Sequence, residues 1–296
     1  MLMRRVVALM VVAMLALSAC SSGDPDATAS ADLRGSIDRI EIGNSETLAP
    51  SLDFVPGLEY RRAETRKVWE GNGGVLVDGQ PLLLDFYGES LEDGTVLINT
   101  FDGLPRPFLL APELLGEALY EALRRANVGA RFLHVAPPSE ENPDEPAMVL
   151  VIDVLPARAH GTVVEPRSDH PIVVLGATGE PQITMREGVA APGELQVATL
   201  IQGDGEQIRE GSHISVNYKA VFFDTGEIFD SSWDPGKAPL ETRIGVGQAL
   251  LGWEQGLIDQ AAGSQVILIM PPAVAYPDKG TMVFVLDILD VWNPED

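Results

Sequence analysis

The glycines of this chain fall into two matching sets. Gly71, Gly73, Gly79 and Gly94 recur 132 residues later as Gly203, Gly205, Gly211 and Gly226. Between them, Pro81-Leu82-Leu83-Leu84-Asp85-Phe86 lies over His213-Ile214-Ser215-Val216-Asn217-Tyr218, and Pro107 lies over Pro239. After a two-residue shift the offset becomes 134. Gly129 then matches Gly263, Pro137-Pro138 match Pro271-Pro272, Met148-Val149 match Met282-Val283, and Asp153 matches Asp287. Turn glycines and apolar positions kept in register over about ninety residues mark a duplication. The chain divides into a first half, 40–156, and a second half, 172–296, joined by a linker at 157–171 rich in Gly, Pro and polar residues.

Each half reads as several strands and one helix. Asp224-Thr225-Gly226 is a hairpin turn between 214–223 and 227–231. Leu250, Trp253, Leu257 and Ile258 fall on one stripe of a helix predicted over 248–262, with Gly263 as its stop. Leu115, Leu119 and Leu123 do the same over 112–127. The runs 266–270 and 282–291 read as buried strands. Strands wrapped on one short helix are an α+β plan, and such a helix is marginal in water unless the sheet holds it.

Charge and missing motifs exclude several functions. The chain has 20 Lys+Arg against 44 Asp+Glu, a formal charge of −24. Such a surface repels phosphate, so no nucleic-acid partner is expected. His134, His160, His170 and His213 lack metal-ligand spacing, no CxxC occurs, and no metal or cofactor is expected. There is no GxSxG nucleophile elbow. Gly71-Asn72-Gly73 and Gly203-Asp204-Gly205 lack the remainder of a phosphate loop and read as turns. The acidic run Glu140, Glu141, Asp144 and Glu145 reads as a solvated loop.

Arg4 and Arg5 precede twelve apolar residues, Val6 to Leu17, too few to span a bilayer as a helix. This is a secretory signal pattern. Its end, Leu17-Ser18-Ala19-Cys20, carries the chain's one cysteine and resembles a bacterial lipoprotein lipobox. The resemblance implies removal of 1–19, acylation of Cys20, and a flexible tether over 20–39. It places the protein at the cell membrane, lipid-anchored and facing outside the cytoplasm.

The second half resembles the FKBP family of peptidyl-prolyl cis-trans isomerases. The resemblance covers about residues 193–292. It is carried by Gly203-Asp204-Gly205, Val216-Asn217-Tyr218, Gly226 through Ser232, Leu250-Leu251-Gly252-Trp253-Glu254-Gln255-Gly256-Leu257, Pro272 through Tyr276, and Val283-Phe284. It implies two FKBP-like domains, each a curved antiparallel β-sheet wrapped around one short α-helix. It also implies a catalytic pocket of Tyr218, Phe229, Asp230, Leu250, Trp253, Tyr276 and Phe284, with Leu240 and Ala249 as further substrate-binding walls. By the same resemblance Trp253 is the floor, and the Leu250 N–H and Tyr276 hydroxyl bind substrate carbonyls. The implied partners are proline-containing polypeptide clients and FK506- or rapamycin-like macrolides.

Two features depart from the family pattern. Only Pro277 to Gly280 separate Tyr276 from Thr281, where the family usually has a longer loop. The first half looks degenerate: Phe86, Leu97, Ile98, Leu119 and Asn142 stand for Tyr218, Phe229, Asp230, Trp253 and Tyr276, and Phe108 for Leu240. The implied activity is isomerisation of exported proteins by the second half. The alternative is a non-catalytic FKBP-fold chaperone or protein-binding lipoprotein. A Cys20→Ala variant is expected to lose fatty-acid labelling and leave the membrane fraction; unchanged labelling contradicts the lipobox reading.

Overall fold

Runs such as Leu82, Leu84, Phe86 and Ile214, Val216, Tyr218 send alternate side chains to one face of a strand. In the computed structural model of the chain each run lies inside an antiparallel sheet. The structure describes residues 34–43, 49–138, 145–176, 179–234 and 237–294. Cys20 and Asn142 lie outside these residues.

The first half contains β1 (Glu41–Gly43), β2 (Ser51–Asp53), β3 (Glu64–Trp69), β4 (Pro81–Ser90), β5 (Val96–Asn99) and β6 (Arg106–Leu109). Helices α1 (Pro112–Leu115) and α2 (Glu117–Leu123) follow, then β7 (Arg131–Ala136) and β8 (Met148–Leu155). The second contains β9 (Thr162–Val163), β10 (Ile172–Leu175), β11 (Pro181–Thr184), β12 (Gln196–Gln202), β13 (His213–Phe222), β14 (Ile228–Ser231) and β15 (Leu240–Arg243). Helix α3 (Leu251–Gly256), β16 (Gln265–Met270) and β17 (Met282–Trp292) complete it. The sheets run β3-β7-β8-β4-β5 and β14-β13-β17-β16-β12-β9, with β6 on β4 and β15 on β13. The first order, reversed, is the second without β9. Both sheets belong to one compact unit, Gly35–Asp296.

The duplication extends to single hydrogen bonds. The Phe86 N–H donates to Thr100 Oγ1 (2.8 Å), and Thr100 Oγ1 donates to Asp85 Oδ1 (2.5 Å). In the second half the Tyr218 N–H donates to Ser232 Oγ (2.9 Å), and Ser232 Oγ donates to Asn217 Oδ1 (3.0 Å). Arg131 clasps Asp153 where Gln265 donates to Asp287. Gly71 and Gly203 fill the same tight place. A Cβ on Gly203 would overlap the Ala262 oxygen and Ser264 nitrogen, and one on Gly71 the equivalent backbone at 127–130.

Register also moves one correspondence. Val216 pairs with Leu240, as Leu84 pairs with Arg106. The two-residue shift therefore precedes β6 and β15. Leu240 corresponds to Arg106, not Phe108, and Pro239 does not match Pro107.

Each sheet is covered on both faces. In the second half Trp253 and Leu257 pack with Val216, Leu268 and Phe284 on the inner face. Ile267, Ile269, Val283 and Val285 point the other way, against Val173 of β10 and Ile183 of β11. The β1–β2 hairpin covers the first sheet likewise through Ile42 and Leu52. Burial on both faces explains why Gln265–Met270 is buried at every position rather than at alternate ones.

Both helices are shorter than expected. In place of 248–262, α3 has six residues, because 259–262 pair with 206–208 instead. The Asp259 N–H donates to Ile208 O, the Ile208 N–H to Gln260 O, and the Ala262 N–H to Glu206 O. In place of 112–127, α1 and α2 are broken at Gly116, whose φ is 71°. The stretch 157–171, expected as a linker, is pinned to the second sheet. Asn217 Nδ2 donates to Ala157 O (3.1 Å), the Ala159 N–H to Asp287 Oδ2 (3.0 Å), and β9 pairs with β12.

Gly203→Ala is expected to cost more than about 2 kcal/mol in urea denaturation of the full chain, because both overlapping groups are backbone. Gly280→Ala meets open space at φ +81° and is expected to cost only about 1 kcal/mol of backbone strain. Equal losses would contradict the close-packing account.

Candidate active site

Residue 253 determines how the inner face is built. The Trp253 side chain descends from α3 and is 3% exposed, over Phe284 of β17, which is 2% exposed. The rings stand edge to face, 5.7 Å apart at 88°. Gly252 and Gly256 let the helix approach this closely: a Cβ on either would run into Met270 or Leu268. Glu254, in the first turn, bonds the N–H groups of Gly245 and Ala249 (2.8 Å for Ala249). Burial pushes the Glu254 carboxyl up, but the N–H donors of Ala249, Gly245, Gly247 and Gln248 outweigh it and hold the group below its usual value. The loop before α3 is thereby tied to the helix. Leu250 sits at its N-cap in extended conformation, and among the described residues its N–H has no acceptor.

Around this floor stand partly buried rings. Tyr218 meets Trp253 edge-on at 5.6 Å, and Phe229 lies 5.2 Å from Tyr276 and 5.6 Å from Phe222. Alternation on β13 sends Tyr218 to this face and Asn217 to the other. Phe229 and Asp230, adjacent on β14, both contact the group because the β13–β14 register shifts there. Tyr276 follows a short 3-10 turn, Pro272–Val274.

One polar network faces this apolar wall. The Tyr218 hydroxyl donates to Asp230 Oδ2 (2.5 Å). Lys237 Nζ donates to Asp230 Oδ1 (2.6 Å) and also pairs with Asp234 (3.1 Å). The Ser231 N–H adds a third donor to Asp230 (2.9 Å). Lys237, then Tyr218, hold the Asp230 carboxyl below the usual carboxylate value. Burial, then the neighbouring carboxylate, push the Tyr218 phenol well above its usual value. Near neutral pH Asp230 is therefore charged and Tyr218 is not.

Tyr218, Phe229, Ala249, Leu250, Trp253, Tyr276 and Phe284 thus pack in one cluster, with Asp230 bonded to its Tyr218. Leu240 does not join them; it is 41% exposed at the start of β15. Sequence reasoning missed Lys237 as a partner of Asp230 and Glu254 as the brace of the 245–250 loop. No periodicity links Asp230 to Lys237, while an acidic residue in a first helical turn is a legible signal for Glu254.

The first half has the same scaffold with a different face. Phe86 and Leu119 are buried, and Phe108 meets Phe86 edge-on at 5.7 Å. Ile98 occupies the register position of Asp230, opposite Gly88 as Asp230 is opposite Ala220. Among the described residues the polar network has no counterpart there.

The family model for FKBP-type peptidyl-prolyl cis-trans isomerases matches residues 204–285. A relative from Streptomyces anulatus, an FK506-binding protein, is 37% identical over 114 residues, covering 35% of this chain and 91% of that protein. The chain belongs to the FKBP family. A probable FK506-binding protein of Corynebacterium glutamicum is 34% identical over 118 residues, 37% of this chain and 97% of its own length. FkpA from Escherichia coli, a solved structure, is 28% identical and aligns over 42% of this chain and 53% of its own, with a TM-score of 0.31. The matched stretch contains every ring of the cluster around Trp253. By family the chain is a peptidyl-prolyl cis-trans isomerase, in its second half.

Lys237→Met is expected to raise the Asp230 carboxyl, which in the wild type is held below the value it has in an unfolded chain, as read by carbon-detected NMR of the side chain. The stability this network contributes is present above that unfolded value and is lost as pH falls through the lower folded one. An unmoved Asp230 titration would contradict the ion-pair account.

Proposed function

We propose that the rings around Trp253 form a hollow that binds the proline of X–Pro segments in exported polypeptides and catalyses their cis/trans exchange. The supporting observation is one cluster of partly buried rings around Trp253, with a fixed carboxylate, Asp230, bonded to one of them. Rotation about an X–Pro bond breaks amide resonance, a barrier of roughly 18–20 kcal/mol, and takes tens to hundreds of seconds unaided. A twisted amide is less polar than a planar one, so an apolar wall favours it relative to water. The proline ring rests on Trp253 between Tyr218, Phe229 and Phe284. The free N–H of Leu250 and the hydroxyl of Tyr276 hold the flanking carbonyls. Asp230, kept in place by Lys237 and Tyr218, orients the Tyr218 ring and faces the strained amide as a fixed dipole. Ala249 leaves room for an apolar residue before the proline.

The reaction makes and breaks no covalent bond, so neither nucleophile nor metal enters it. FK506-like macrolides compete for the same surface, weakly, because only four residues, Pro277 to Gly280, are there to cover it and Leu240 stands outside the ring cluster. The first half does not turn over: Ile98 and Phe86 supply no polar group, and Leu119 fills the place of the indole. The protein acts at the outer side of the cell membrane, held by acylated Cys20 through the Ser-, Asp- and Ala-rich tether, and its acidic body stands off an anionic surface.

Exchange NMR on the full chain with a Leu-Pro peptide is expected to show catalysis whose rate is flat near neutral pH, since Asp230 titrates lower and Tyr218 higher. Asp230→Leu is expected to lower the rate about tenfold, or ~1.4 kcal/mol of transition-state stabilisation. A folded chain with no acceleration at high concentration would turn the reading to a non-catalytic binding module.

A further inference from the structure

One cation beside the ring cluster has, among the described residues, no carboxylate of its own. Lys279 lies in the short segment between Tyr276 and β17, and its N–H donates to Tyr276 O (3.0 Å), closing that segment into a tight turn. The turn carries the side chain back over the rings, and Nζ stands 5.9 Å from the centroid of Phe229. Among the described residues no acidic side chain lies within ion-pair distance of it. Lys237, the other cation here, is shared between Asp230 and Asp234 and has no charge to spare. The remaining acidic groups on the surrounding segments, Asp224, Glu227 and Asp278, are exposed, and none lies within ion-pair distance of Lys279. A cation–π contact at an exposed site leaves the ammonium donors available to a second partner.

We infer that Lys279 selects substrates, favouring X–Pro segments that carry a carboxylate side chain next to the X–Pro pair. The inference rests on the isomerase reading above and deepens it. The X residue itself stays apolar, so the acidic residue either precedes X or follows the proline. Lys279 is a specificity-determining residue at the rim; it lies outside the group that holds the proline. Its charge also opposes the general character of the chain, whose net −24 would otherwise repel acidic segments.

The test uses the full chain and peptides with a Leu-Pro core, carrying Glu, Gln or Lys before Leu or after Pro. Exchange NMR gives kcat/KM for each. The wild type is expected to favour one Glu peptide over its Lys counterpart about threefold, the size of one exposed ion pair, with the preference shrinking in high salt. Lys279→Met keeps the stem over Phe229 and removes the charge; it is expected to abolish the preference while the Gln peptide is turned over as before. Lys279→Glu is expected to reverse it. If every peptide is accelerated alike, or the Glu preference survives in Lys279→Met, the inference on Lys279 is overturned while the isomerase reading stands. If no peptide is accelerated by the wild type, the isomerase reading itself falls, and this inference with it.

Discussion

The contact of Trp253 with Phe284 holds the second half together. A six-residue helix is far too short to persist alone. Here no side chain caps its N-terminus, so tertiary packing supplies its stability. The indole and Leu257 anchor it in the sheet, and Gly252 and Gly256 set how close it can come. Truncating a buried Trp of this kind costs about 3–5 kcal/mol. The 245–250 loop depends on the helix through Glu254, and the Leu250 N–H depends on that loop. The site is thus built outward from one ring pair, with Tyr218 and Phe229 completing the wall.

The two halves show how one scaffold supports different chemistry. Strand alternation separates the faces of β4 and β13. On one face the polar clasp persists: Asp85 and Thr100 in the first half, Asn217 and Ser232 in the second. That clasp satisfies the backbone N–H of Phe86 or Tyr218 and so fixes the strand that carries the next ring. On the other face the groups diverge. Tyr218 with Asp230 becomes Phe86 with Ile98, and the charge disappears along with the lysine that would balance it. An unpaired carboxylate on an apolar wall is costly. Loss of one member of such a network therefore favours loss of the rest.

Much of this was legible in the sequence. Glycine spacing revealed the duplication because Gly203 and Gly71 sit against backbone where no side chain fits. The ring residues were legible as a set, since their motifs follow one another in order along β13, β14, α3 and β17. Helix length was not. The stripe of Leu250, Trp253, Leu257 and Ile258 suits a longer helix, and only long-range pairing of 259–262 with 206–208 ends it. The covering hairpins β1–β2 and β10–β11 escaped notice because their strands are three or four residues long and largely exposed. The docking of Ala157 and Ala159 on Asn217 and Asp287 uses backbone atoms, which carry no sequence signal. Lys237 was hidden for a related reason: it reaches Asp230 from beyond a turn, at a spacing no secondary structure imposes.

On the function proposed above, X–Pro segments bind on the Trp253 floor of the second half and nowhere on the first. The chain has four tryptophans, and their indole N–H signals can be read separately in the intact protein. Titration with a Leu-Pro-Phe peptide should move the Trp253 signal to saturation and leave Trp69, in the first half, where it was. Binding that leaves Trp253 unmoved, or that shifts Trp69 instead, would contradict the account.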